Sequence, residues 1–186
     1  SGKNPLHYLF KMRYDIFPTP VWHIEGAPQQ LVDDLYKNTS IIKENIHQYQ
    51  ALEASNQGGY QTTQFPWRDF HPAGIEYIEN VVNNIFSPKE PADIGGWWYN
   101  INPKGSWNVP HNHAGADYAL VFYVTDSDGL LRLSTSYNSR RNEPDHCSFD
   151  AKKGDIIIFP GDLVHYVMPN PREEDRISIS LNLQLC

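Results

Sequence analysis

Two histidines separated by one residue, His111 and His113 in Val109-Pro-His-Asn-His-Ala114, are the side chains of this sequence best suited to chemistry. In an extended strand, residues i and i+2 project to the same face, so the pair would present two imidazoles side by side. A metal ion needs a further donor from elsewhere in the chain. His165 is the candidate, because it follows an apolar run, Ile156 to Phe159, and a Pro160-Gly161 turn, and stands at the start of another extended segment. Imidazole nitrogen suits Fe(II), Zn(II), Cu(II), Mn(II) and Ni(II) alike, so ligand type alone does not choose the ion. An isolated H-x-H is a weak motif that structural histidines also satisfy; the third histidine just past a turn favours the metal reading. His7, His23, His47, His71 and His146 lack such a context and read as surface or core histidines.

Holding three such side chains requires strands. The clearest are Ile94 to Ile101, Tyr118 to Val124, Leu130 to Ser134, Ile156 to Phe159, Val164 to Met168 and Ile177 to Leu185. Asp128-Gly129 between two apolar runs is a hairpin signal. Ile177-Ser-Ile-Ser-Leu-Asn-Leu-Gln-Leu185 alternates with period two, so one face is buried and the other polar. Short strands at close spacing with no helix between them predict a closed or sandwiched antiparallel sheet. Residues 1–90 read differently. Tyr14 to Trp22, with two prolines, suits an edge strand. A helix is expected from about Pro28, with Leu31, Leu35, Ile41 and Ile42 near helical spacing and a break around Asn38 to Ser40. Residues 52–68 read as a loop with a turn at Gly58-Gly59. A second helix is expected from about Pro72 to Phe86, its stripe formed by Ile75, Ile78, Val81, Val82 and Ile85. The whole, residues 1–186, reads as a single domain: an N-terminal strand and supporting helices over 1–90, and a β core over 91–186.

Composition narrows the partners. Of 186 residues 40% are apolar, enough for an ordinary core. The net charge of -7 opposes nucleic acid and anionic membranes, and Arg140-Arg141 and Lys152-Lys153 are too isolated to reverse that. Cys147 and Cys186 are too few for a disulfide framework. No apolar run approaches the roughly 20 residues of a membrane span, and no signal-peptide pattern is present, so a cytoplasmic protein is expected. A homodimer is left open.

Further residues extend the histidine pattern. A Trp-rich strand (Trp97-Trp98-Tyr99-Asn100) precedes Gly105, Asn108 and His111-Asn-His113; then come the Gly154 to Pro160 strand, His165, and Arg176-Ile-Ser178-Ile-Ser180, with Phe17-Pro-Thr-Pro-Val-Trp22 at the start. In these features the chain resembles the 2-oxoglutarate- and Fe(II)-dependent oxygenase superfamily, most of all a small branch with H-x-H in place of H-x-D. The resemblance implies a mostly β double-stranded β-helix (jelly-roll, cupin-like) with the N-terminal helices packed outside. It also implies a dioxygenase that hydroxylates a second, unspecified substrate and releases succinate and CO2. Fe(II) would be held by His111, His113 and His165. Arg176 would pair with the distal carboxylate of 2-oxoglutarate, assisted by Ser178, since a planar guanidinium can grip a carboxylate with two parallel hydrogen bonds. Asn100, Asn102 and Asn108 would lie toward the same co-substrate, unless they are ordinary turn or edge residues. The alternative for Arg176 is a surface ion pair with Glu173, Glu174 or Asp175. His113 stands where the facial triad of such oxygenases carries a carboxylate, and Asp117 is near enough to compete for that role.

Two other functions fit the same residues. Gly105, His111-x-His113 and Asp117, with Gly154, Pro160 and His165, are near the two cupin motifs; a cupin would use His111, His113, Asp117 and His165 without 2-oxoglutarate. A binding module that kept the barrel and lost catalysis is the third reading. Trp97, Trp98, Tyr99 and Trp107 are either pocket or core, and the polar segment 136–145, with Arg140 and Arg141, is a candidate lid.

Overall fold

The longest alternating run becomes the strand around which the sheets are built. In a computed structural model describing residues 19–45, 48, 55–63, 71–86, 91–134 and 146–186, strand β11 spans Arg176–Leu185. Ile177, Ile179, Leu181 and Leu183 are buried on one of its faces, and Arg176, Ser178, Ser180 and Asn182 lie on the other. β11 pairs antiparallel with β4 (Ala92–Asn102) on one side and β6 (Tyr118–Tyr123) on the other. β6 continues to β9 (Ile156–Pro160), β9 to the edge strand β1 (Trp22–Ile24), and β4 to the short β3 (Tyr60–Gln61). The order of this six-stranded sheet is β1-β9-β6-β11-β4-β3. The second sheet has the order β2-β5-β10-β7-β8, from Asn56–Gln57, Trp107–His111, His165–Val167, Leu131–Ser134 and His146–Phe149. Every pairing is antiparallel. The two sheets form the expected double-stranded β-helix.

The larger sheet is apolar on both sides of its middle. Its outer face carries Tyr99, Ile101, Leu120, Phe122, Ile156, Ile158 and the odd residues of β11, and these pack in one cluster with both helices. Its inner face contributes Ala119, Val121, Tyr123, Ile157 and Phe159, which meet Leu131 and Leu133 of the smaller sheet. This explains why β6 and β9 read as continuous apolar runs, the pattern of a strand buried on two faces.

Helix α1 (Gln29–Glu44) buries Leu31, Val32, Leu35, Thr39 and Ile42. The break expected at Asn38 to Ser40 does not occur. Those residues are weak helix formers, but Thr39 is buried on the core stripe and its hydroxyl donates to the Tyr36 carbonyl at 2.6 Å. Burial of the helix face overrides local preference. Helix α2 (Pro72–Ile85) follows the prediction: Pro72 opens it, the Gly74 N–H donates to His71 Nδ1 at 3.0 Å, and Ile75, Ile78 and Val82 face the sheet. No helix among the described residues is long and apolar enough to cross a membrane.

Three N-terminal and edge features differ from expectation. The edge strand begins at Trp22, beyond Pro18 and Pro20, because proline cannot donate to a ladder; Tyr14 to Pro18 lie outside the described residues. The expected loop contains β2 and β3. Gly58 turns between them at φ +73°, and Gly59 lies so close to Asn56 and Ile101 that a Cβ would come within 2.9 Å of the Ile101 carbonyl oxygen. This glycine pair lets the chain cross from one sheet to the other. Finally, β8 was not expected, since His146-Cys-Ser-Phe149 has little apolar character and Cys147 and Ser148 are exposed.

The edge strand is tied to the sheet by Asp155, which is 5% exposed. Its carboxylate accepts from Lys152 N–H at 2.8 Å and Gly26 N–H at 3.2 Å, and lies 2.9 Å from His23 Nε2. Asp155→Ala leaves these donors without their acceptor and is expected to cost about 2–4 kcal/mol of stability, read as a lowered urea midpoint. Asp155→Asn, which keeps one acceptor oxygen, loses less.

Candidate metal centre

A bulge in β5 sets the first histidine. Opposite β10, His111 pairs with His165 and Asn108 with Val167, so Val109 and Pro110 together oppose Tyr166 alone. Proline is tolerated at such a position because it has no N–H to leave unpaired. The bulge turns both Asn108 and His111, three residues apart, toward the same pocket. β5 ends at His111. His113 is therefore not on the strand, and the turn that follows, rather than strand alternation, brings its imidazole beside that of His111. His113 lies in the following turn, where its N–H donates to the Gly161 carbonyl at 2.7 Å and its own carbonyl accepts from Ala116 N–H at 3.0 Å. Gly161 makes that approach possible: a Cβ there would lie 2.2 Å from the Ala116 carbonyl oxygen. His165 opens β10, between β5 and β7.

The three imidazoles converge. Their ring centres are 4.2 Å apart for His111–His165, 5.0 Å for His113–His165 and 5.6 Å for His111–His113. One potential ligand atom from each lies within 4.8 Å of the others. Every Nδ1 faces an oxygen: the Val109 carbonyl at 2.7 Å for His111, the Leu163 carbonyl at 2.9 Å for His165, and Asn182 Oδ1 at 2.6 Å for His113. An oxygen acceptor fixes the proton on Nδ1 and leaves Nε2 with its lone pair free, the arrangement that orients metal-binding histidines. Burial pushes all three imidazoles below their ordinary range and His165 to about 3, with neighbouring His111 adding to the effect. They are neutral donors at neutral pH. Trp98 packs 5.3 Å from His113 and Phe159 4.7 Å from His165, walling the cluster.

The remaining expected residues meet in the same pocket, which encloses about 530 Å³ including its open mouth. Arg176, Ser178, Asn100, Asn102 and Asn108 all line it. Arg176 is 7% exposed; Nη1 donates to the Met168 carbonyl at 2.9 Å, and Nη2 is buried without a hydrogen-bond partner. Burial pulls its pKa down to about 10, so the group remains cationic. The anticipated alternative, an ion pair with a nearby acid, is not formed among the described residues: Glu173 pairs with Lys104 and Asp175 with Lys43. Asn100 donates to Ser180 Oγ at 3.1 Å and its Oδ1 is buried and unpaired. Asn102 and Asn108 bond to each other at 3.1 Å, and Asn56 and Ser55 extend the chain of amides at 2.7 and 3.1 Å.

Other expected residues fall elsewhere. Asp117 is exposed, its carboxylate accepts from Leu185 N–H at 2.8 Å and from the Gln184 side chain, and it does not join the histidine group. The four-ligand cupin set is thus not assembled. Trp97 and Tyr99 belong to the outer core, Trp98 to the pocket, and Trp107 is exposed. The candidate lid, 136–145, lies outside the described residues, as do His7 and His47. Asn182 was missed, although it continues the Arg176-Ser178-Ser180 face of β11 and could have been read from that alternation. Tyr123, Ser127 and Ser55 were also missed; they carry no motif.

Residues 96–182 match the family "Putative 2OG-Fe(II) oxygenase". No curated protein matches the chain in sequence. Solved structures similar in fold include HygX from Streptomyces hygroscopicus with nickel, 2-oxoglutarate and hygromycin B bound (10% identity, 89% of this chain and 83% of that one, TM-score 0.63). A prolyl-4-hydroxylase from Pseudomonas putida is another (14% identity, 88% and 91%, TM-score 0.62). A third is a Trichoplax adhaerens prolyl hydroxylase in complex with a hypoxia inducible factor peptide fragment (12% identity, 88% and 83%, TM-score 0.65). The fold and the histidine cluster define a double-stranded β-helix protein with a candidate metal centre. The family match covers just under half of the chain, including all three histidines and Arg176, and indicates a 2-oxoglutarate-dependent Fe(II) oxygenase.

Two outcomes follow from the geometry. Asn182→Ala removes the acceptor that orients His113 and is expected to weaken Ni(II) binding about 10- to 100-fold by calorimetry. In the metal-free protein the depressed imidazole pKa values act in one direction. The unfolded chain takes up protons near pH 6.5 while the fold resists them, so the contribution is complete above about 6.5 and is lost as pH falls toward 3. Thermal melts should fall by several degrees between pH 7 and 4, and less steeply in His165→Gln.

Proposed function

We propose that His111, His113 and His165 hold Fe(II) through their Nε2 atoms, with a histidine at the usual carboxylate position, and that Arg176 and Ser178 receive the distal carboxylate of 2-oxoglutarate. The observation that carries the reading is the presence, in one pocket, of three convergent neutral imidazoles and a buried guanidinium with an unpartnered N–H. The donor set fits a divalent first-row metal, and the unpaired Nη2 fits a carboxylate. The chemistry supplied when metal and co-substrate are bound is O2-dependent hydroxylation of a second substrate, coupled to conversion of 2-oxoglutarate to succinate and CO2.

The chain's own part is to bind, orient and exclude water. Arg176 is held by the Met168 carbonyl so that its free edge faces the pocket. Asn100, whose side-chain oxygen is buried without a partner, lines the same space. Asn102 and Asn108 engage each other, so they contact the co-substrate as a fixed wall rather than as free amides. Val121, Leu131 and Val167 supply the apolar lining. The shared core of helices and sheet supports a single domain over residues 1–186. The free, exposed Cys147 and Cys186 fit a reducing compartment such as the cytoplasm, and the net charge of -7 argues against a nucleic-acid substrate.

The test is calorimetry of 2-oxoglutarate binding to the Ni(II)-loaded protein, with anaerobic Fe(II) titration as the spectroscopic counterpart. Binding should raise the visible charge-transfer band of the Fe(II) chelate. Arg176→Ala should raise the Kd for 2-oxoglutarate by about 10- to 100-fold, and Arg176→Lys should recover little, because an ammonium cannot reproduce the fork. No band and no heat in the unaltered protein would exclude the co-substrate reading. Binding of 2-oxoglutarate indifferent to Arg176 would remove that residue from the co-substrate site.

A further inference from the structure

Among the described residues, no acidic side chain lines the pocket. Its lining comprises three histidines, Arg176, three asparagines, serines, Tyr123, Trp98 and aliphatic residues, with neither Asp nor Glu among them. The next layer around the histidines is neutral too. The acceptors for the three Nδ1 protons are two backbone carbonyls and the amide oxygen of Asn182, where metal-binding histidines often donate to a carboxylate. Asp117, the nearest acid in sequence, is turned outward onto the Leu185 N–H. Resting on the proposed function, the charges can be counted. A divalent metal contributes two positive charges and Arg176 one, and 2-oxoglutarate contributes two negative charges. Asp128 acts weakly on Arg176 from outside the pocket but is itself paired with Arg172, so one positive charge is left over among the described residues. A carboxylate at position 113 would have cancelled it.

We propose that this uncompensated charge makes the second substrate an anion: the loaded pocket selects a molecule, or the end of a molecule, bearing one net negative charge. His113 and Asn182 together determine this selectivity, His113 as a neutral donor and Asn182 as the neutral group behind it. A full charge roughly 5 Å from a bound anion, at an effective dielectric of about 20, changes affinity on the order of a hundredfold; access of water to the open mouth lowers this toward tenfold.

The experiment uses the intact chain loaded with Co(II) and 2-oxoglutarate under argon and titrated with azide, a monoanion, with the visible Co(II) spectrum as readout. Acetate and acetamide, nearly equal in shape and different in charge, are compared as competitors. The unaltered protein should bind azide saturably and prefer acetate to acetamide. His113→Asp and Asn182→Asp each add one negative charge and should weaken azide binding at least tenfold. If His113→Asp fails to take up Co(II), Asn182→Asp decides, because it keeps all three histidines. Equal azide affinity in the unaltered protein and Asn182→Asp, or no azide binding with Co(II) and 2-oxoglutarate in place, would overturn the proposal. Azide binding with this variant order but no 2-oxoglutarate binding would remove the co-substrate reading and support the charge inference, since the excess is then larger.

Discussion

The structure depends on the two-sidedness of β11. Its successive residues point to opposite faces, so one strand supplies both the apolar floor under the helices and the polar floor of the pocket. A slip of one residue against β4 or β6 would drive Arg176, Ser178, Ser180 and Asn182 under α1 and α2 and turn four aliphatic side chains into the pocket. Both neighbouring strands oppose that slip, because β4 alternates in phase with β11. Arg176 pairs with Asn102 and Ser178 with Asn100 on the inner side, while Ile177 pairs with Ile101 and Ile179 with Tyr99 on the outer side. The helices complete the constraint by covering the outer face. Site and core are therefore fixed by a single register.

That dependence explains what the sequence reveals. Long alternating or doubly buried strands carry their pattern in every residue, so β4, β6, β9 and β11 were legible, as was the amphipathic α2. β2 and β3 have two residues each and cannot display a period; they exist because Gly58-Gly59 brings them against strands already formed. The continuous α1 was obscured by Asn38-Thr39-Ser40, whose local preference is against helix and whose burial against the sheet is not a local property. The bulge in β5 had one visible sign, Pro110. Without knowing that β10 opposes it, nothing in Val109-Pro-His-Asn-His113 distinguishes a strand carrying both histidines from a strand that ends at the first.

The same distinction governs the site. Spacing shows which groups can reach a point, and hydrogen bonding decides which groups are still available there. Asp117 follows His113 closely enough to be a ligand by spacing, but the turn at Ala114-Gly115 carries it to the edge of β11, where Leu185 and Gln184 claim its carboxylate. Asn182 has no motif, yet it sets the tautomer of His113 across the pocket. Arg176 had competing acids beside it in sequence, and each of the two that is paired has found a lysine instead.

The unpaired guanidinium edge is costly as it stands. Burying a charged group with one N–H unsatisfied costs on the order of 1–3 kcal/mol or more, which the charge of Asp128 offsets only in part. The depressed pKa of Arg176 is the same cost expressed as a proton affinity. The three imidazoles are likewise held neutral by burial with their lone pairs unused. Such a pocket is not optimised for the stability of the empty chain. Under the proposed function a cation at the histidines and an anion at Arg176 would satisfy these groups, and binding of either would stabilise the fold by mass action.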